Sequence, residues 1–166
     1  MANHPTAVPE EPFNLERFLP YQLSVLSNTV SQGIAHIYQQ EHELSVTEWR
    51  IIAVLGRYPG LTASQVVDRT VMDKVAVSRA VKRLLERGLI KRKTLGEDRR
   101  YRQLELTVGK GAKALDAIVP KARTYEQALL AGLDRKEYQM LMRLLGRLQD
   151  TAIKLNEGNG PALNNN

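Results

Sequence analysis

Cysteine is absent from this chain of 166 residues, and aromatic side chains make up only 5% of it. Without a thiol, the chain can form no disulfide, hold no thiolate-bound metal and carry no cysteine-based redox sensor. Its three histidines, His4, His36 and His42, lack the i, i+4 spacing of a helical zinc site. We therefore expect neither a metal site nor thiol chemistry.

Two further absences limit the class of protein. No apolar run reaches about 18 residues and no charged-then-apolar leader opens the chain, so we expect a soluble, cytoplasmic protein. The sequence also contains no Gly-rich phosphate loop and no Ser/His/Asp arrangement. These absences predict a protein that is not an enzyme and has no cofactor.

Basic side chains are concentrated in residues 74–102, which hold eleven of the chain's 24 Lys and Arg and three of its 18 Asp and Glu. The segment therefore carries a charge of +8, whereas the whole chain carries only +6. Such a local excess favours a polyanionic partner, either nucleic acid or an anionic membrane surface. Because no basic helix here has the bulky apolar face needed for membrane insertion, we expect nucleic acid and no membrane.

Apolar periodicity and capping signals predict six helices and one β-hairpin. The expected helices cover about residues 14–42, 45–58, 62–69, 74–87, 108–131 and 134–155, and the expected strands 89–94 and 101–107. Capping boxes mark three of the helix starts: Ser45 with Glu48, Thr62 with Gln65, and Asp134 with Glu137. Asp73 is expected to cap the fourth helix and Gly88 to end it. Pro20 is expected in a first turn or at a kink, and Pro120 at a kink of the fifth helix.

The order of these elements predicts a mainly α fold with a small β-hairpin wing, which is a winged helix-turn-helix at residues 44–107. Residues 13–43 and 108–155 carry long apolar stripes and are expected to form a helical dimerisation platform. The alternative is that these stripes pack within one monomer. Residues 1–12 and 156–166, rich in Pro, Gly and Asn, are expected to be a disordered arm and tail.

The helix at 74–87 is the candidate recognition helix. One side is apolar and is expected to be buried: Val77, Ala80, Val81, Leu84 and Leu85. The other side carries short polar and long cationic groups, which suit a major groove about 12 Å wide. Arg79 is predicted to contact guanine, Ser78 a base edge or phosphate, and Val75 a thymine methyl group. Phosphate contacts are predicted for Lys74, Lys82 and Arg83. The alternative is a merely solvated basic face.

The expected hairpin tip contains Asp98, Arg99 and Arg100. A cation at a wing tip can enter the narrow minor groove, where A·T-rich sequence deepens the negative potential. DNA would repel Asp98 by itself, so its predicted task is to orient one of the two arginines through a charge-assisted hydrogen bond. The alternative is a turn-forming Asp beside surface arginines.

The run DKVAVSRAVKRLLERGLIKR, followed by EDRRYRQLELT, resembles the MarR family of bacterial transcription regulators over about residues 15–155. The family pattern is matched at Asp73, at Ser78-Arg79, at Gly88-Leu89, at Asp98 with Arg100, and at Leu106-Thr107. One departure is Lys110, where the family usually has Gly, and this puts the start of the fifth helix in question.

The resemblance implies a homodimer whose terminal helices form the interface and whose two winged units grip successive major grooves of a near-palindromic operator. It further implies repression that a small ligand relieves. A different possibility is a sequence-indifferent architectural DNA-binding protein without a ligand, which predicts steep salt dependence and no preferred operator.

Effectors of such regulators often bind between the dimer platform and the DNA-reading unit. Side chains of suitable chemistry at that junction are Arg17, Tyr21, Ser27, His36, Tyr38, Trp49 and Arg50. The stretch FLPYQLSVLSN is similar to regulators of aromatic-acid catabolism, including those that respond to hydroxycinnamoyl-coenzyme A thioesters. An aromatic carboxylate or its thioester is therefore the predicted effector. The alternative is that Trp49 belongs to the core and that His36 is an ordinary surface histidine.

Overall fold

The computed structural model describes residues 13–94 and 102–158. The chain divides into two compact units, Met1–Pro120 and Lys121–Asn166. The helices of the described residues are a 3₁₀ turn (Leu15–Arg17), α1 (Leu19–His42), α2 (Val46–Arg57), α3 (Ala63–Thr70), α4 (Lys74–Glu86), α5 (Lys110–Leu130) and α6 (Arg135–Asn156). The strands are β1 (Leu61–Thr62), β2 (Ile90–Thr94) and β3 (Arg102–Leu106). The predicted arm at 1–12, the wing tip and the end of the predicted tail lie outside the described residues.

The predicted helix starts at Ser45, Thr62, Asp73 and Asp134 are confirmed, because local hydrogen bonds determine them. The Ser45 side chain accepts from the Glu48 N–H at 3.2 Å, and the Glu48 carboxylate accepts from the Ser45 N–H at 2.8 Å. The boxes at Thr62 and Asp134 have the same reciprocal pattern. The Asp73 carboxylate accepts from the Ala76 N–H at 2.8 Å and so begins α4. The prediction of one helix over 14–42 is wrong at its start: Leu15–Arg17 is a separate 3₁₀ turn, Phe18 is extended, and α1 begins at Leu19.

The two prolines and the fifth helix start are now placed. Pro20 lies in the first turn of α1, where its missing N–H breaks no helical hydrogen bond. Helix α5 begins at Lys110 and continues through Pro120. Close packing falls on Gly111 instead of residue 110, because a Cβ at Gly111 would overlap the Leu89 carbonyl oxygen. Helix α5 therefore starts at Lys110 itself, two residues later than predicted.

The sheet has three antiparallel strands in the order β1-β3-β2. The predicted hairpin pairs Ile90 with Leu106 and Thr94 with Arg102. Strand β1 was not predicted; it pairs Leu61 with Leu104 and joins the hairpin to the start of α3. The wing is therefore hydrogen-bonded to the helix-turn-helix, and this pairing determines where its basic side chains lie.

One hydrophobic core holds the first unit together. It takes Tyr38 and Leu44 from α1 and the turn after it, Ile51, Ile52 and Leu55 from α2, Val66 from α3, Ile90 and Leu104 from the sheet, and Ala114 and Ile118 from α5. On α4, Val77, Ala80, Val81 and Leu84 are buried and Leu85 is partly buried, as predicted. Each large side chain buried here contributes roughly 1.5–3 kcal/mol, so the orientation of α4 about its own axis is firmly set. Within the described residues, no helix is both long and apolar enough to span a membrane.

Candidate nucleic-acid interface

Helix α4 presents a basic and polar face opposite its buried side. The side chains of Lys74, Val75, Ser78, Arg79 and Lys82 are all exposed. The Lys82 ammonium lies 3.9 Å from the Glu86 carboxylate, with both side chains mostly in solvent. An exposed pair of this kind contributes little, so Lys82 can turn to another anion. The face therefore offers two long cations, one guanidinium, one hydroxyl and one methyl-bearing side chain.

Arg83, at the edge of this face, is directed back towards α2. Its Nε donates to Glu48 Oε1 at 2.9 Å, and Glu48 is only 3% exposed. Burial by itself would raise the pKa of Glu48, but the Ser45 N–H and the side chains of Arg83 and Ser45 outweigh it and lower the pKa. Glu48 is therefore a buried carboxylate that joins the first turn of α2 to α4. The predicted phosphate contact of Arg83 stays a prediction, and the structure adds this tie between helices.

A recess of about 460 Å³ lies beside α4 and was not predicted from the sequence. The start of α3 contributes Ser64, the hairpin contributes Arg92 and Arg102, and Val81 of α4 also lines it. The neighbouring lysines of β2 are engaged elsewhere, since Lys91 and Lys93 lie 3.5 and 3.6 Å from the Glu105 carboxylate. Alternation along the strand separates Arg92 from these lysines, and this was the available sequence signal. The recess combines a helix N-terminus, a hydroxyl and two guanidinium groups, which suits an anion.

The predicted wing-tip residues Asp98, Arg99 and Arg100 lie outside the described residues. Strands β2 and β3 lead to the tip from Thr94 and Arg102. The predicted roles at the tip therefore stay predictions.

A second cleft, of about 600 Å³, separates α1 from α2. Its lining residues are Asn28, Ser31, Gln32, Ala35, His36, Gln39, Val46 and Arg50. The Arg50 guanidinium donates to Ser31 Oγ at 3.2 Å across the cleft. Of the seven predicted effector residues, the structure brings two, His36 and Arg50, to this cleft. The polar stripe on α1, spaced at three and four residues, was the signal that sequence reasoning missed.

The other five predicted effector residues lie elsewhere. Tyr38 is buried and stacks on Trp49, with ring centroids 5.8 Å apart, and its hydroxyl donates to the Ser31 carbonyl at 3.4 Å. Burial raises the pKa of Tyr38, and the nearby Arg50 charge only partly offsets this. Trp49 packs against the core, as the alternative reading held. Arg17, Tyr21 and Ser27 are exposed and do not line the cleft.

A helix-turn-helix followed by a hairpin that pairs with a short third strand defines the winged-helix class. A sequence profile of the MarR family matches residues 42–100. A MarR/EmrR family transcriptional regulator from Acinetobacter sp. ADP1 is 30% identical, with a TM-score of 0.78 over 86% of this chain and 99% of that one. The transcriptional regulator HosA of Escherichia coli is 24% identical over 76% of this chain and 98% of its own length. The regulator BpsR of Bordetella bronchiseptica, whose DNA binding is regulated by 6-hydroxynicotinic acid, shares the fold at 21% identity, with a TM-score of 0.73 over 84% of this chain and 99% of that one.

The chain belongs to the MarR family of transcriptional regulators. Its family and its relatives are regulators and not enzymes, and the family binds DNA and forms dimers. The predicted family, the winged-helix fold and the regulatory class are therefore confirmed.

Proposed function

We propose that this chain is a homodimeric repressor that binds a near-palindromic operator in the cytoplasm and releases it when a small aromatic acid binds. The observation that carries the DNA-binding part is the geometry of α4. Its apolar side is held in the core, so its cationic and polar side must face outward, beside a recess that holds two more guanidinium groups. A convex helix with such a face fits the major groove.

Within this proposal the DNA contacts divide by chemistry. Arg79 reads guanine through its two-pronged guanidinium, Ser78 contacts a base edge or phosphate, and Val75 a thymine methyl group. Lys74 and Lys82 hold phosphates on either side. The recess of Ser64, Arg92 and Arg102 binds a phosphate of the DNA backbone at the N-terminus of α3. This contact fixes the angle at which α4 enters the groove.

The proposal of a dimer is supported by apolar side chains that are exposed to solvent in the single chain. Helix α6 has no buried residue among those described, and Leu144, Leu145 and Leu148 are 43, 41 and 42% exposed. In the first unit, Leu19 and Leu26 of α1 are 44 and 56% exposed. A second copy that covers these faces would double the DNA contacts and match the symmetry of a palindromic site.

The effector is proposed to occupy the cleft between α1 and α2. Its volume is suited to a small ligand, and Arg50 supplies a cation for a carboxylate beside the exposed His36. The resemblance of α1 to regulators of aromatic-acid catabolism, and the response of the similarly folded BpsR to 6-hydroxynicotinic acid, support an aromatic acid or its coenzyme A thioester.

A route from this cleft to the DNA runs through α2. Arg50 holds α1 through Ser31, and two residues earlier Glu48 holds α4 through Arg83. A ligand carboxylate that draws Arg50 away from Ser31 would shift the first turn of α2, and Glu48 would transmit that shift to α4. Repression relieved by a ligand follows if the shifted α4 fits the operator less well.

A competition binding assay tests the DNA-binding proposal. The chain's own promoter region and a scrambled duplex compete for labelled protein, at several salt concentrations. We expect a clear preference for the promoter region. Arg79→Ala should reduce the free-energy preference for the promoter region by about 1–3 kcal/mol, because a base contact is lost. Lys82→Ala should weaken binding to both duplexes alike, and it should reduce the slope of log K against log salt concentration by about 0.9. No preference in the unaltered protein would favour the architectural alternative.

Thermal stabilisation by 6-hydroxynicotinic acid, hydroxycinnamic acid and hydroxycinnamoyl-coenzyme A tests the effector proposal, with release of the promoter duplex as the second readout. Arg50→Gln removes the cation in the cleft, and Arg17→Gln is the matched control because Arg17 does not line it. We expect Arg50→Gln to abolish both responses and Arg17→Gln to keep them. The reverse pattern would place the effector elsewhere.

A further inference from the structure

A third cleft, of about 760 Å³, lies where three elements of the first unit meet. The C-terminus of α1, the end of α4 with the start of β2, and the first turn of α5 form its walls. Leu89 and Ala114, both buried in the core, contribute apolar surface to it. The DNA and effector proposals use none of its residues.

Cations from two of these elements converge on the cleft. Arg87 comes from the end of α4, and Lys110 and Lys113 from the first turn of α5. Glu41 and Glu43 also line it, so the lining keeps a net positive charge. The Glu43 carboxylate is 3.9 Å from Arg87 and its side chain is 88% exposed, which makes it a weak counter-charge.

The Arg87 guanidinium is held in place with donors to spare. It donates to the Glu43 carbonyl at 2.9 Å and to the His42 carbonyl at 2.6 Å. Of its five N–H groups, these two bonds use two. The side chain is 35% exposed, so a cleft ligand can reach the remaining donors. A guanidinium fixed by two carbonyl groups is already oriented for an oxyanion.

Two further features favour an anion in this cleft. The His42 Nε2 is buried and has no hydrogen-bond partner among the described residues, although His42 lines the cleft. The first turn of α5 contains two lysines and no acidic residue. The positive end of the helix dipole repels cations there, and a bound anion would offset that repulsion.

We propose that this cleft is a binding site for a small multivalent oxyanion, a phosphate or a compact polycarboxylate, held by Arg87, Lys110 and Lys113. The oxyanion would receive N–H groups from Arg87 and the ammonium groups of both lysines, and it would sit at the joint between α1 and α4. The proposal is independent of the DNA-binding role, and its test contains no DNA.

The test measures thermal unfolding and calorimetric binding with inorganic phosphate and with citrate, in chloride buffer of constant ionic strength. At about a hundredfold above Kd, a single site should raise Tm by roughly 5–10 °C. The cleft variant Lys110→Gln/Lys113→Gln should bind at least tenfold more weakly. The matched control Lys136→Gln/Lys154→Gln removes the same charge from exposed positions of α6 and should change binding less than twofold. A third double variant, Lys74→Gln/Lys82→Gln, tests whether the anion binds to the basic face of α4 instead.

Three outcomes would overturn the proposal: no saturable response, equal losses in the cleft and α6 variants, or a larger loss in the α4 variant than in the cleft variant. Equal losses would mean general screening of a basic protein, and the third result would place the anion on the nucleic-acid interface. If the cleft double variant does not fold, Lys113→Gln alone, at an exposed position, should still weaken binding severalfold. An unchanged affinity in that single variant would also overturn the proposal.

Discussion

Helices α4 and α6 are both strongly amphipathic, but only α4 buries its apolar side within the chain. In α4, a helix of 13 residues, four side chains are buried against other elements of the same chain. In α6, a helix of 22 residues, none of the described side chains is buried. An apolar stripe therefore marks a surface that packs against another element, and for α4 that element belongs to the same chain. The difference teaches that the reading unit packs on its own core, whereas the apolar stripe of α6 stays exposed in one chain and would be covered in the proposed dimer.

The largest expected effect comes from charging the exposed stripe of α6. Leu145→Glu/Leu148→Glu should weaken the proposed dimer by about 3–6 kcal/mol, or a hundredfold or more in Kd, because two leucines would lose the burial that a second copy gives them. Sedimentation equilibrium measures it. Gln139→Glu/Gln149→Glu adds the same charge at polar positions of α6 and should leave the dimer intact. Equal dissociation in both would remove the distinction between the two faces of α6.

Removal of a core side chain of α4 should come next. Leu84 is fully buried, so Leu84→Ala should lower the free energy of unfolding by about 2–5 kcal/mol through lost burial and a cavity. Urea denaturation, followed through the unfolding transition of the first unit, measures the loss of unfolding free energy. The exposed Val75→Ala on the same helix should change stability by less than about 0.5 kcal/mol. If both variants unfolded alike, α4 would not be packed as described.

The tie between α2 and α4 should contribute less. Glu48→Gln should cost about 1–3 kcal/mol, because Arg83 loses a charged acceptor in a buried setting. The folded pKa of Glu48 is lowered, so its stabilisation is present above the ordinary value of 4.5 and is lost as pH falls through the folded value. The stability gap between the unaltered protein and Glu48→Gln should therefore shrink from pH 7 towards acid. A gap that widened on acidification would contradict this.

The smallest effects compare two glycines. Gly111→Ala should destabilise by about 1–2 kcal/mol, since the added Cβ overlaps the Leu89 carbonyl. Gly146, within α6, has nothing within 4 Å of an added Cβ, so Gly146→Ala should stabilise by about 0.5–1 kcal/mol through helix propensity. Thermal unfolding measures both. A loss at Gly146 would instead mean that the second copy packs closely there, which sharpens the position of the dimer contact.

Much of the fold was predictable because its signals are local. The capping boxes at Ser45, Thr62 and Asp134 join residues three apart, and each has the expected hydrogen bonds. The buried side of α4 follows from helical periodicity within a single segment. Strand β1 escaped prediction because two residues carry no periodicity, and its pairing with Leu104 depends on a segment more than forty residues away.

The candidate site was predictable only in part, for the same reason. The exposed face of α4 belongs to one helix, so its composition was visible in the sequence. The recess of Ser64, Arg92 and Arg102 draws on three elements and was missed. Arg83 illustrates the limit best: its charge indicated phosphate, while its contact with Glu48, 35 residues away, could not be read from spacing.

The sequence by itself determined the helices, the face of α4 that carries charge, the family and the regulatory class. The tertiary structure alone decided which cations share a cleft and that Tyr38 and Trp49 pack together in the interior. It also decided that Arg83 connects α4 to α2 and that Arg87 connects the end of α4 to α1. Periodicity and capping act over one or two helical turns, whereas these contacts depend on how separate elements pack around the same core.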